Sequence, residues 1–375
     1  MSMGGPIRVL HVFGKMNRGG AETMIMSLYR NIDRKRIQFD FIVHTNEECD
    51  YNGEIKKLGG KIYSIPKYTG KNHFQYVNAW NLFLKMNPEY RIIHGHVRST
   101  ASIYLNIANK YGLTTISHSH NTSSGKGVSA IAKSVLQYPI RSTANYFFAC
   151  SLDAGEWLFG KDVLNSEKFH LLNNSIEANL FRFNEQTRMR IRKEFGITNE
   201  HLIGHVGRFH PQKNHDFIIE VFHAIKKKDK KAKLILVGEG ELKKGVQQKV
   251  DKYDLNEDVI FTGVRSDIPD LLQAFDVFFM PSVHEGLPVT LMEAQASGLK
   301  CVVSDNITPD VKITNLVEFI SLEKPVEYWA NRIMPNLTND KRNDTFMEIC
   351  KAGYDVKENA QWLEEFYSNK HWEGK

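Results

Sequence analysis

The chain has 375 residues, of which 42% are apolar and 25% charged, and a formal charge of +6. That length is too great for one ordinary core and comfortable for two α/β domains, and the composition is that of an ordinary soluble globular protein. No apolar run reaches bilayer length, the start lacks a signal-peptide pattern, and Cys49, Cys150, Cys301 and Cys350 lie far apart without a CxxC pair, so a membrane span, a disulfide framework and a cysteine zinc site are excluded and a cytoplasmic setting is expected.

Short β-rich apolar runs alternate with helical patterns almost from end to end. Strands are predicted at 7–13, 39–43, 62–65, 92–96, 114–118, 146–150 and 169–172, with helices at 21–31, 74–86 and 99–111 among them. The alternation pauses at 177–196, a charged stretch holding Arg182, Glu185, Arg188, Arg190, Arg192, Lys193 and Glu194, which reads as a link between domains. It restarts with strands at 202–207, 234–237, 259–262, 277–280 and 301–304. Phe217, Ile218, Val221, Phe222 and Ile225 repeat at helical spacing after the first of these and read as core. The pattern predicts an N-terminal Rossmann-like domain over 1–180, a C-terminal one over 181–355, and a last helix within 356–375 packing back on the N-terminal domain. Continuous apolar strands separated by helices imply parallel sheets covered on both faces, with ligands at the carboxyl ends of the strands.

The first strand runs into Gly14 and then Gly19-Gly20-Ala21-Glu22 before a helix, a loop in which backbone N–H groups can approach a phosphate or sugar. A dinucleotide fingerprint would need G-x-G-x-x-G, which neither this loop nor Gly238-Glu239-Gly240 supplies. The first strand of the second half delivers Gly207-Arg208-Phe209-His210-Pro211-Gln212-Lys213-Asn214. Arg208 offers a planar fork and Lys213 a compact charge on one loop, a combination suited to a diphosphate. Then comes Pro281-Ser282-Val283-His284-Glu285-Gly286-Leu287-Pro288, leading into a helix that carries Glu293. Gly286 allows close backbone approach, and the N–H groups near Leu287 can meet phosphate oxygens. Carboxylates beside a diphosphate are expected to face sugar and ribose hydroxyls.

Glu285 to Glu293 resembles the E-x7-E motif of retaining GT-B glycosyltransferases, in particular glycosyltransferase family 4. Gly19-Gly20-Ala21-Glu22 looks like that family's amino-terminal glycine loop, Gly207-Arg208 with Lys213-Asn214 like its G-R-x(n)-K-N segment, and Phe261-Thr262-Gly263 and Ser304-Asp305 like further stations in the same order. The overall pattern is similar to bacterial exopolysaccharide and capsule glycosyltransferases. The resemblance implies two doubly wound domains facing across a cleft and retaining transfer from a UDP-sugar to a lipid-linked saccharide. Residue by residue, it implies that Arg208 and Lys213 bind the donor diphosphate, Glu285 the sugar hydroxyls and Glu293 the ribose. Gly286 and Leu287 would meet phosphate or sugar through their backbone, Val264 and Arg265 would pass beside the base, and His120 would line the acceptor side. Asn174-Ser175-Ile176-Glu177 departs from the family's N-G-I-D.

No D-x-D pair is present, so no metal and no cofactor are expected, and the nucleotide-sugar is a substrate. His94 with His96 and His118 with His120 stand two apart on strands, a spacing that lines a polar cleft more readily than it builds a zinc site. Rival readings are a non-catalytic sugar-nucleotide-binding subunit and a sugar-nucleotide epimerase on the same fold. Lys126, Lys133 and Arg141, interleaved with apolar residues, suggest a membrane surface as a partner on the acceptor side. The absence of an aromatic–basic RNA motif or zinc finger argues against nucleic acid.

Overall fold

The computed structural model describes residues 5–121, 136–285, 287–337 and 342–373. The chain divides into two compact units, Met1–Ser175 with Val356–Lys375, and Ile176–Asp355. Each is a parallel α/β sheet domain of Rossmann type.

In the first unit seven strands are seen among the described residues: β1 (Ile7–Phe13), β2 (Ile37–Val43), β3 (Ile62–Ser64), β4 (Ile92–Gly95), β5 (Thr114–Ser119), β6 (Tyr146–Ala149) and β7 (Phe169–Leu171). They lie in the order β3-β2-β1-β4-β5-β6-β7, every pair parallel. The chain therefore winds outward from β1 in one direction and from β4 in the other, and the two central strands mark the switch point at which their carboxyl ends open a crevice. All seven residues of β2 are buried, as a strand covered on both faces requires.

The second unit repeats the plan with β8 (His201–Val206), β9 (Ala232–Val237), β10 (Val259–Gly263), β11 (Val277–Met280), β12 (Lys300–Ser304) and β13 (Val317–Ile320) in the order β10-β9-β8-β11-β12-β13. Its switch point lies between β8 and β11. The helix His215–Lys228 buries Ile218, Ile219, Val221, Phe222, Ala224 and Ile225, while Phe217 is only partly covered. Strand β13 is an addition to the sequence reading.

Two features concern the ends of the domains. The charged stretch 177–196 is not a bare link: it forms the helices Ala178–Phe181 and Glu185–Glu194 within the second unit. Arg188 and Arg192 are buried there. Arg188 donates to the carbonyls of Gln273, Ala274 and Phe275, where the helix Ile268–Ala274 ends with unpaired oxygens, and both arginines pair with Asp276. The last helix, Val356–Glu373, belongs to the first unit, with Val356, Ala360, Leu363, Phe366 and Tyr367 in the core beside Phe39 and Phe41. Val356, Leu363 and Phe366 each contribute about 1.5–3 kcal/mol on burial. Glu364 on its polar side accepts from the Asp33 backbone N–H at 2.6 Å and pairs with Arg36 at 3.1 Å.

Candidate functional site

At the β8–β11 switch point of the second unit, two strand-end loops are stitched together. Val283 N–H donates to the Gln212 carbonyl at 2.8 Å, Gln212 Nε2 to the His284 carbonyl at 2.7 Å, and Asn214 Nδ2 to the Pro281 carbonyl at 3.2 Å. Asn214 takes a left-handed conformation (φ 57°), so the chain leaves the turn Pro211–Lys213 and enters its helix sharply. This stitching brings Lys213 and Glu285 together, with Nζ–Oε1 at 2.6 Å and only 17% and 9% of the side chains exposed. A backbone bridge from Glu285 to Ile307 steadies the carboxylate's base. The two residues form one electrostatic unit. Arg208 is exposed and has no ion pair among the described residues, which leaves its fork open to a ligand.

The glycines here have a steric purpose. A Cβ on Gly207 would stand 2.9 Å from His205 Nε2 and 3.1 Å from Lys213 Cδ, so glycine lets the lysine stem cross the loop. Gly238 (φ 141°) faces the same loop from β9, and a Cβ there would lie 2.2 Å from the Gly207 carbonyl oxygen. Gly238-Glu239-Gly240 is thus a packing surface for the arginine loop, and Phe209 N–H donates to the Glu239 carbonyl at 3.0 Å.

Glu293 lies in the helix Val289–Ala296, and burial pushes its carboxyl up to about 7. Leu287 is half-buried against the core, and Gly286 lies outside the described residues. Val264 is 77% exposed. The neighbouring Arg265 guanidinium is spent on Asp267 at 2.6 Å and Glu194 at 3.0 Å, leaving its side chain tied to its own surroundings. A cavity of about 650 Å³ in this unit sits at the opposite end of the sheet, beside Asp276, Lys300 and Leu316, where strands begin. Its arginines serve the carbonyls of a helix end, so it is not the site described here.

In the first unit, Gly19 caps the helix Gly20–Asn31, and the absence of a Cβ there makes room for the Glu22 carboxyl, whose Oε2 would otherwise be 2.3 Å away. Burial raises the Glu22 carboxyl above its ordinary range. Gly14, Gly20, Glu22, His96, His120 and Asn174 line one cavity of about 290 Å³ at the carboxyl ends of β1 and β4. His120 is therefore brought to the glycine loop.

Sequence reasoning took the histidines in pairs and missed His11 and Tyr367. His11 Nδ1 lies 3.0 Å from His96 Nε2, and His96 Nδ1 lies 2.8 Å from His120 Nε2. His94 bridges Tyr367 Oη at 2.6 Å and His118 Nδ1 at 3.1 Å. Burial lowers the basicity of all five rings, His11 and His120 to about 3, so they are neutral at pH 7. Two triplets, His11/His94/His96 and His96/His118/His120, place ring nitrogens within 4.8 Å of one another. A metal would need those lone pairs to converge on one point, whereas the hydrogen-bonded nitrogens point at each other. The register of β1 against β4 pairs His11 with His94; that alignment was the signal available, but it requires knowing which strands are neighbours.

The family described as Glycosyl transferases group 1 matches residues 187–351. The chain is 37% identical to the Bacillus subtilis protein EpsF, named as a glycosyltransferase, over 369 residues covering 96% of each chain. It is 22% identical, over 92% of this chain and 96% of the other, to the Escherichia coli UDP-Gal:alpha-D-GlcNAc-diphosphoundecaprenol alpha-1,3-galactosyltransferase. The crystal structure of Anabaena HepE in complex with UDP matches with a TM-score of 0.70 at 18% identity, covering 98% of both chains, a likeness of fold.

Proposed function

The chain belongs to the glycosyl transferases group 1 family, and we propose that it is a retaining enzyme of glycosyltransferase family 4 that moves a sugar from a UDP-sugar to a lipid-linked saccharide in exopolysaccharide or capsule synthesis. The observation that carries this reading is the strand-end pair of loops in the second unit. An open arginine fork stands on the same loop as a lysine already held by a carboxylate, at the switch point where nucleotides bind to such sheets. Arg208 and Lys213 stabilise the diphosphate as negative charge develops on it, a preorganised electrostatic contribution that is often the largest in catalysis. Glu285 accepts from the sugar hydroxyls while keeping Lys213 in place, and Glu293 takes the ribose. No carboxylate is assigned as a covalent nucleophile; the departing diphosphate oxygen receives the acceptor's proton on the same face. Chemistry proceeds without a divalent metal.

The names of two relatives support the acceptor and the pathway: one ends on a diphosphoundecaprenol-linked sugar, and another, 24% identical over 97% of this chain, is a Staphylococcus aureus capsular polysaccharide glycosyltransferase. A membrane surface as partner is supported by the helix His73–Met86, whose Phe74, Leu82 and Met86 are exposed where an amphipathic helix is normally polar. Of the basic residues expected to dock there, Lys126 and Lys133 lie outside the described residues, and Arg141 stacks on exposed Tyr138. No helix among the described residues is long and apolar enough to cross a membrane.

A thermal-shift panel of nucleotide sugars tests the assignment. A true donor at a hundredfold its dissociation constant stabilises the fold by about 2.7 kcal/mol. Indifference to every nucleotide sugar and to UDP would overturn it.

A further inference from the structure

The first N–H groups of a helix point outward unpaired and attract negative charge. In the helix Gly20–Asn31 that place is filled from within the chain by Glu22, the acidic residue of its first turn. The carboxylate folds back over Gly19, where a Cβ would stand 2.3 Å from Oε2. A glutamate three residues after the cap ordinarily accepts from the cap's own backbone N–H. Here that N–H is already spent on the Asn17 carbonyl, at 2.8 Å. Lys15, on the same loop, is paired with Glu47. Among the described residues Glu22 has no ion pair, and its carboxylate accepts only from its own backbone N–H, although the residue is half-buried. Burial raises its carboxyl above the ordinary range, as befits a charge with too few donors.

The carboxylate borders the cavity of about 290 Å³ at the carboxyl ends of β1 and β4, and so do Gly14 and Gly20. Neither glycine has a positive φ, and a Cβ on either would meet nothing within 4 Å. The fold itself therefore does not require glycine at these two positions, and alanine at position 20 would suit the helix better. Open space where a side chain could stand lets a ligand approach the backbone closely. The lining decides what kind of ligand. Among the described residues around the cavity there is no lysine or arginine, and burial keeps His96 and His120 neutral. A phosphate there would face a carboxylate with no cation to offset it. A hydroxyl brings its own hydrogen and donates it to the carboxylate in a charge-assisted bond.

We propose that Glu22 is a saccharide-binding residue of the first unit: its carboxylate accepts from hydroxyl groups of a sugar ring held in this cavity, and Gly14 and Gly20 leave room for that ring. The glycine loop thus serves a sugar and not a phosphate. The underused carboxylate and the two glycines are features of the chain itself; the identification of the hydroxyl compound as a saccharide, on the donor or on the acceptor, rests on the glycosyltransferase reading.

The test is isothermal titration calorimetry of the full chain with UDP, UDP-glucose, UDP-galactose, UDP-N-acetylglucosamine and a synthetic diphospholipid-linked N-acetylglucosamine. Glu22→Ala should weaken binding of the saccharide by about ten- to a hundredfold, the worth of hydrogen bonds to a charged group. Glu22→Gln keeps one acceptor oxygen and should weaken it by about three- to tenfold. Gly20→Ala should melt no lower than the wild type, because the methyl group meets nothing and alanine favours the helix, yet it should bind the saccharide about tenfold more weakly. UDP, which carries no sugar for transfer, should bind all four proteins alike. Weakening confined to the lipid-linked sugar assigns the acceptor's ring to the cavity, and weakening of the UDP-sugars relative to UDP assigns the donor's. Variants that bind every saccharide like the wild type would overturn the proposal. So would a Glu22→Ala protein that binds UDP more tightly, since a phosphate would then have taken the vacated helix end. A wild type that gains nothing from any sugar beyond UDP overturns the saccharide assignment and leaves nucleotide binding intact. A wild type that binds the lipid-linked sugar through Glu22 but no nucleotide overturns the transferase reading and keeps this one.

Discussion

Removing Lys213 should damage the protein in two separable ways. Its ammonium is Glu285's ion-pair partner among the described residues, and the carboxylate is 9% exposed. Lys213→Ala leaves that carboxylate facing a hole. Breaking a fully buried pair from one side costs about 3–5 kcal/mol, and the partial exposure of both partners brings the expected loss here to about 1–3 kcal/mol. A 180-residue unit loses about 2–4 °C per kcal/mol, so its melting temperature should fall by roughly 2–12 °C. Lys213→Ala/Glu285→Ala removes both charges and should recover much of that loss, giving a coupling energy on the order of 1 kcal/mol or more in a double-mutant cycle. Activity should not follow stability: transfer should be lost in the double variant as in the single. The assay is differential scanning calorimetry of the four proteins alongside turnover with the donor identified by the panel. If Lys213→Ala melts with the wild type, or if the two single losses simply add, the two residues are not an electrostatic unit and the site has been assembled wrongly.

Arg208→Ala should lower transfer by about 10²–10³-fold, the usual loss for one preorganised charge-stabilising donor, while melting with the wild type because the side chain is exposed; near-normal turnover would remove it from the mechanism. Burial holds the Glu293 carboxyl at about 7 in the folded chain, above its unfolded value near 4.3. Its contribution to stability is therefore fully present below about pH 4.3 and is lost as pH rises through about 7, by at most about 4 kcal/mol. Glu293→Gln should flatten that part of the melting profile between pH 5 and 8, and parallel profiles for the two proteins would show that the carboxyl is not held protonated. Turnover should survive EDTA; collapse with chelator and rescue by Mn²⁺ or Mg²⁺ would place a metal in the chemistry.

What could be read from the sequence was whatever is local along the chain. Parallel strands declare themselves as apolar runs, and their carboxyl ends locate the loops, so Gly207-Arg208 and Glu285-Gly286 were visible as stations of a site. The pairing of Lys213 with Glu285 was not, because 72 residues separate them and only the stitching of Gln212 and Asn214 to the loop after β11 brings them within 2.6 Å. The charged stretch 177–196 read as a link because charge normally marks solvent; Arg188 and Arg192 are instead consumed by carbonyls at a helix end and by Asp276. Strand β13, Val317–Ile320, is a four-residue edge strand with a glutamate inside, too short and too polar to stand out. The histidine rows depend on strand adjacency and on Tyr367, 273 residues from His94, which no spacing rule connects.

Retaining transfer from a nucleotide-sugar is tested most directly by the stereochemistry of a single product. Proton NMR of the glycoside formed from an α-linked UDP-sugar and a lipid-linked or synthetic diphospholipid saccharide should show an α-anomeric product with one UDP released per linkage. A β-anomeric product would make the enzyme inverting. Conversion of the donor to its epimer without any glycoside would replace transfer with isomerisation.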